Sequence, residues 1–340
     1  MPGHNRAVSI WLFIMIIMVV SIILLGGATR LTNSGLSITE WKPITGVLPP
    51  LSAEAWAVEF AKYRKIPEFS AEHPDMDLAG FKFIYFMEWS HRLLGRAIGL
   101  VYFIPLVFFL IRGQIKPGKR GRFIGVLLLI GVQGAIGWWM VASGLVNDRV
   151  SVSQYRLAVH LGVAFVILAI LLWTWLDNRQ DWPDKQAQPK LAKRINVLFL
   201  LVFLQIIAGA FVAGTHAGLT YNTWPLMDGG LMPSGYFAQS PAWINMFENV
   251  ASIQFNHRML GYAVLLIAIW GWWSARRQDE HQLRRALGWV LMTIVLQIAL
   301  GIATLLYVVP LHLALAHQAG AIVVFLLAVI ALRRAKVRVY

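Results

Sequence analysis

A chain of 340 residues that is 58% hydrophobic and only 14% charged, with a mean hydropathy of +0.62, has more apolar surface than one water-soluble core can hide. It reads as an integral membrane protein, and its fifteen tryptophans suit the two membrane interfaces. The absence of cysteine excludes disulfides, thiolate metal sites and thiol redox chemistry within the chain.

Crossing about 30 Å of hydrocarbon takes roughly 20 helical residues. Eight apolar segments meet that length: Val8 to Gly27, Phe83 to Ile111, Phe123 to Ala142, Leu157 to Leu176, Ile195 to Gly214, Val250 to Trp273, Ala286 to Val309 and Leu311 to Leu332. The first lacks a small-residue cleavage site and is followed by further spans, so it reads as a retained helix. In the long first connection, Ser52 to Tyr63 has a helical period with Trp56, Phe60 and Tyr63 on one side. A short helix on the outer membrane surface is expected there. Pro105 is a candidate kink in the second span.

The charges alternate from one connection to the next. Arg112, Lys116, Lys119, Arg120 and Arg122 make the second connection basic, Arg179, Lys185, Lys190, Lys193 and Arg194 the fourth, and Arg276, Arg277, Arg284 and Arg285 the sixth. Arg333, Arg334, Lys336 and Arg338 do the same for the tail. The fifth connection, Thr215 to Asn249, has no Lys or Arg, and acids balance the bases of the first. By the positive-inside rule both termini are cytoplasmic. The net charge of +14 is then a topology signal, and a nucleic-acid partner is not expected.

Self-comparison shows a repeat. Gly35-Leu36-Ser37-Ile38-Thr39-Glu40-Trp41 matches Gly218-Leu219-Thr220-Tyr221-Asn222-Thr223-Trp224, and His91-Arg92-Leu93-Leu94-Gly95 matches His257-Arg258-Met259-Leu260-Gly261. Gln133 and Gly137 match Gln297 and Gly301, and Ala158-Val159-His160 matches Leu315-Ala316-His317. The expected fold is all-α, with eight transmembrane helices in two homologous four-helix bundles related by a pseudo-twofold axis along the membrane normal. The halves are residues 1–176 and 195–340, joined by a cytoplasmic linker, 177–194.

Four histidines sit inside apolar spans at equivalent positions: His91 and His160 in the first half, His257 and His317 in the second. A lone intramembrane histidine often just hydrogen-bonds a neighbouring helix. Two pairs in register, on the second and fourth helix of each half, instead fit imidazoles facing one another across a bundle, which is a haem site. Zinc would want further ligands that the spans lack beyond Glu88. Gly95, Gly137, Gly162, Gly261, Gly301 and Gly320 allow close approach of a macrocycle, or ordinary helix packing. His91 is about eight residues into its span, roughly 12 Å below the outer surface. Arg92 and Arg258 follow their histidines directly and are expected to meet haem propionates or outer-loop carbonyls. His216 aligns with Asn33 and reads, like His312, as a loop or helix-end residue. His4, His73 and His281 read as surface residues.

This ordered set of motifs resembles the haem A synthase family over essentially the whole chain: eight spans, two halves, Glu-x-x-His-Arg at Glu88, His91 and Arg92, and a histidine in each even-numbered span. The chain is similar to the cysteine-free branch of alphaproteobacteria and mitochondria. The resemblance implies oxidation of the ring-position-8 methyl of haem O to the alcohol and then the aldehyde, giving haem A for cytochrome oxidase. It also implies a resident haem b in one half and the substrate in the other, in a bacterial inner membrane, with the sites toward the periplasmic side. A haem O synthase is the natural neighbour by function, the electron donor is a separate partner, and homo-oligomer formation stays open.

The residues suggest which half does which. Glu88 lies three residues before His91 on a shared face, whereas the second half has Gln254 there. Glu88 is therefore the candidate catalytic residue, as acid, base or stabiliser of positive charge, or else a structural partner of Arg92 or Arg96. His91 and His160 become the substrate haem ligands, and His257 and His317 the haem b ligands. If both histidines hold the substrate iron, no position is open for oxygen and the oxidation occurs at the ring periphery. A di-haem b-type cytochrome would use the same four histidines without needing Glu88, and a repeat-built transporter would need broken helices and midplane charges.

Overall fold

The computed structural model describes residues 5–146, 149–179, 189–277 and 281–335. His4, Lys185, Lys336 and Arg338, and the part of the expected linker from 180 to 188, lie outside the described residues. Among those residues the fold is all-α, apart from one isolated bridge between Met227 and Gly230. Eight helices are long and apolar enough to span a membrane. They are α1 (Arg6–Leu31), α4 (Leu78–Ile111), α5 (Pro117–Ala142), α6 (Gln154–Arg179), α7 (Pro189–Gly214), α9 (Val250–Arg276), α10 (His281–Leu306) and α11 (Leu311–Ala335). Shorter helices α2 (Ala53–Tyr63), α3 (Pro67–Glu72) and α8 (Asn245–Glu248) lie in the long connections.

Local chemistry sets the helix ends. Pro117 and Pro189 open α5 and α7, where a missing N–H costs nothing. Asp77 and Asn249 cap α4 and α9 by accepting backbone N–H bonds. The seventh span ends at Leu306 rather than Val309, because Val308 and Val309 take left-handed backbone (φ 59° and 56°) to make the turn before Pro310. The second span starts earlier than its apolar run, at Leu78, so His91 lies thirteen residues, about 20 Å, from the helix start.

The chain divides into two compact units, residues 10–168 and residues 169–340 with 1–9. In the second of these α7 packs on α9 and α11, and α10 packs on α9 and α11, closing a ring of four helices. The C-terminal part of α6, from Ala169, belongs to this unit, where Asp177 pairs with Arg333 of α11 at 2.6 Å and that guanidinium lies over Trp173. In the unit of residues 10–168, Pro105 has no N–H to offer the Val101 carbonyl one turn back. The Trp11 indole of α1 donates to that carbonyl at 2.9 Å and its ring meets Tyr102 and Phe109. Tyr102 in turn donates to Phe123 O of α5 at 2.9 Å.

The helix expected after Ser52 is α2, capped by the Ser52 hydroxyl. Its apolar face does not merely lie on the membrane: Trp56 and Tyr63 are buried against Ile84, Tyr85 and Phe81, the last supplied by the early start of α4. Tyr63 Oη lies 2.8 Å from His73 Nδ1 and donates to Glu68 at 3.4 Å. His73 is thus half-buried, not a free surface residue, and burial lowers its pKa. Glu68 is only 5% exposed, and burial, reinforced by the charge of Glu88, pushes its carboxyl up to about 8.

Two predictions follow from these contacts. Trp11→Phe keeps the ring packing but strands the part-buried Val101 carbonyl, so thermal unfolding in detergent should show a loss of about 1–3 kcal/mol. A folded-state pKa of about 8 for Glu68 means the folded protein holds a proton that the unfolded chain releases near pH 4.3. Stability from this group is full below that pH, falls as pH rises toward 8 and is level above. Glu68→Gln should flatten that decline in thermal unfolding measured across the range.

Candidate functional site

His91 projects from α4 and His160 from α6, close enough for their charges to interact. His257 on α9 and His317 on α11 form the same arrangement in their own unit. The pairs predicted from the repeat are therefore brought together. Each ring also lies against a glycine of a neighbouring helix. A methyl group on Gly26 would sit 3.1 Å from His91 Nε2, on Gly137 3.0 Å from His160 Cε1, on Gly209 3.3 Å from His257 Cε1, and on Gly301 2.7 Å from His317 Cε1. Gly137 and Gly301 were among the expected close-approach glycines, but they receive histidine rings. Gly26 and Gly209 escaped sequence reading, although both stand nine residues before the matched Gly35 and Gly218. Gly320 faces Gln297, while Gly95 and Gly261 face Ile22 and Gln205.

Glutamines tie the helices together behind the rings. Gln133 Nε2 donates to His160 O at 2.9 Å, Gln297 Nε2 to His317 O at 2.7 Å, and Gln205 Nε2 to His257 O at 3.1 Å. The side-chain oxygens of all three, and His160 Nδ1, are buried without a partner.

At the long-loop end of each pair the carboxylate and the amide behave differently. Glu88 is 3% exposed. It accepts from the Ser37 hydroxyl and the Ile38 N–H, each at 2.7 Å, and from Arg92 Nε at 3.0 Å and Nη2 at 2.5 Å. Arg92 spends its remaining donors on the Glu40 and Ile38 carbonyls, so of its two expected partners it meets the loop carbonyls. Arg96 donates to the Pro43 and Lys42 carbonyls instead. Gln254 reverses the sense of the bonds: its NH₂ donates to Ala217 O and Thr220 O, and its oxygen accepts from Arg258. Arg258 also reaches Tyr221 O at 2.8 Å, but its Nε and Nη1 are buried with no partner. One arginine is neutralised by a carboxylate and hydrogen-bonded at all three of its nitrogens; its counterpart is neither.

These features fit haem. Two facing imidazoles supply axial nitrogens, and the unpartnered Arg258 donors suit an anionic substituent such as a propionate. The family of cytochrome oxidase assembly proteins described as COX15-CtaA matches residues 9–329. The chain belongs to this family. Relatives called heme A synthase include those of Maricaulis maris, 51% identical over 96% of this chain and 96% of theirs, and Parvibaculum lavamentivorans, 48% identical over 96% and 94%. A third, from Dinoroseobacter shibae, is 46% identical over 98% of this chain and 88% of its own.

Within the family frame the other histidines separate cleanly. His216 and His312 are exposed, and His281 is an exposed partner of Arg284. His216 replaces Asn33 without breaking the backbone repeat, since both are left-handed (φ 54° and 46°). Gly301→Ala should force the His317 ring from its seat at a cost of about 1–3 kcal/mol. A several-fold drop in haem co-purifying with the full-length protein, read by the pyridine haemochrome spectrum, checks this.

Proposed function

We propose that the chain is a haem A synthase, oxidising the ring-position-8 methyl group of haem O to a formyl group by way of the hydroxymethyl compound. Family membership and the names of the relatives support this reading over a di-haem cytochrome. In it, His91 and His160 bind substrate haem O in the first half, and His257 and His317 hold a resident haem b in the second. When bound, haem b supplies one-electron transfer. Arg258 directs its unpartnered Nε and Nη1 donors to a propionate of that haem.

The observation that carries the assignment is the contrast between Glu88 and Gln254. Each two-electron oxidation at the methyl carbon develops positive character and releases protons, which a nearby fixed anion favours. Glu88 is such an anion: four donors hold its two oxygens, and it cannot rotate away without breaking the Arg92 pair. This favours electrostatic stabilisation over proton shuttling for its role. In the second half the amide Gln254 offers no charge, as suits a site that carries electrons and does no bond chemistry. Haem O arrives from the membrane enzyme that makes it, and electrons leave to a separate partner. Both termini lie in the cytoplasm and the haem sites toward the periplasmic side of the inner membrane.

Glu88→Gln is a clean test, because Gln254 demonstrates that a glutamine fits beside the arginine in this scaffold. The variant should fold, retain haem b, and accumulate haem O with haem A formation reduced by at least tenfold in membranes. Normal haem A formation would sink the assignment. A pair of identical, unmodified b haems in the wild-type protein would favour the cytochrome instead.

A further inference from the structure

The four histidines are not supported alike. Gln205 reaches His257 at three points: its Nε2 donates to the backbone oxygen at 3.1 Å and lies 3.2 Å from both ring nitrogens. Gln297 approaches His317 Nδ1 at 3.1 Å in addition to its backbone bond, and Gln133 holds the His160 backbone. Among the described residues no such side chain reaches His91. The position of Gln205 is taken there by Ile22. Two observations establish that correspondence. Ile22 Cδ1 lies 3.6 Å from a methyl built on Gly95, as Gln205 Nε2 lies 3.5 Å from one on Gly261. Each residue also stands four before the glycine that faces the histidine ring, Gly26 and Gly209.

Resting on the haem assignment above, we infer that Gln205 is a positioning residue that locks His257 as a permanent haem ligand, and that Ile22 leaves His91 as the releasable ligand of the substrate site. An imidazole that binds iron through one nitrogen carries a proton on the other. An acceptor for that proton fixes the ring and raises its donor strength, and losing such a partner typically costs about 10–100-fold in metal affinity. The Gln205 oxygen is buried and unengaged; to accept the imidazole proton it must exchange places with Nε2, giving up the bond to His257 O, as the ring turns its edge toward the amide. At His91 an isoleucine can neither accept the proton nor fix the ring. Two sites with the same pair of ligands thereby differ in retention. A resident haem must stay through every turnover, whereas haem O must enter and haem A must leave. The same difference lowers the iron potential in the second site, because a stronger imidazole donor favours the oxidised metal.

The test uses full-length protein purified in detergent. Gln205→Leu, close in volume, should release haem b to excess apomyoglobin about tenfold faster or more, with a midpoint potential shifted upward in a redox titration. Ile22→Gln, which adds an amide and removes none, should slow release of bound haem O or haem A by a similar factor. Unchanged release rate and potential in Gln205→Leu overturns the inference. If that variant does not fold, unaltered retention in Ile22→Gln overturns it alone. Wild-type protein without haem b would instead overturn the functional reading beneath it, so the two failures are distinguishable.

Discussion

The buried ion pair between Glu88 and Arg92 is the contact on which the first half depends. A charge inside a membrane protein is tolerable only when it is matched and its hydrogen bonds are complete. Glu88 satisfies both conditions by joining two pieces of chain: its own helix through Arg92, and the loop through the Ile38 N–H and the Ser37 hydroxyl. Arg92 returns to the same loop through Ile38 O and Glu40 O. The pair therefore closes the long-loop end one turn above His91, and fixes a negative charge there.

The second half solves the same packing problem without charge on the first partner. An amide carries two donors, so Gln254 turns toward loop carbonyls where Glu88 turns toward loop donors. The loop is still held, but Arg258 has no carboxylate in the place of Glu88 and two nitrogens, Nε and Nη1, without a hydrogen-bond partner. A single acid-to-amide difference thus gives one half a carboxylate beside its arginine and the other a neutral amide. The contrast between Gln205 and Ile22 runs the same way, with a polar side chain against His257 of the second half.

Polar groups elsewhere in the spans obey the requirement that each find an internal partner. The carbonyl released by Pro105 is taken up by Trp11, and the glutamines bind backbone oxygens across helix pairs. The exceptions include the three glutamine oxygens and His160 Nδ1 beside the histidines and two nitrogens of Arg258, and also Arg96 Nη1 and Asn256 Nδ2. The long first connection follows different rules. There Glu68 and Tyr63 are buried beside the half-buried His73, and burial is the largest influence on the Glu68 carboxyl.

Much of this was legible in the sequence because the bilayer imposes a length and a hydropathy that a linear string displays directly. The eight spans, the repeat, the four histidines and the Glu88/Gln254 asymmetry all depend on residue identity and spacing. The early start of α4, the end of α10 at Leu306 and the burial of Trp56 and Tyr63 were not legible, since they turn on which surfaces happen to meet. Nor was the setting of Glu88, Gly26 or Gln205: sequence names a carboxylate, a glycine or an amide, but only the packed helices decide what each one faces. The sequence by itself determined the membrane class, the eight spans and the family, because hydrophobicity, periodicity and motif spacing are local properties. The tertiary structure alone decided which polar groups are satisfied and which are left waiting, because hydrogen bonding across helices is a property of their contact.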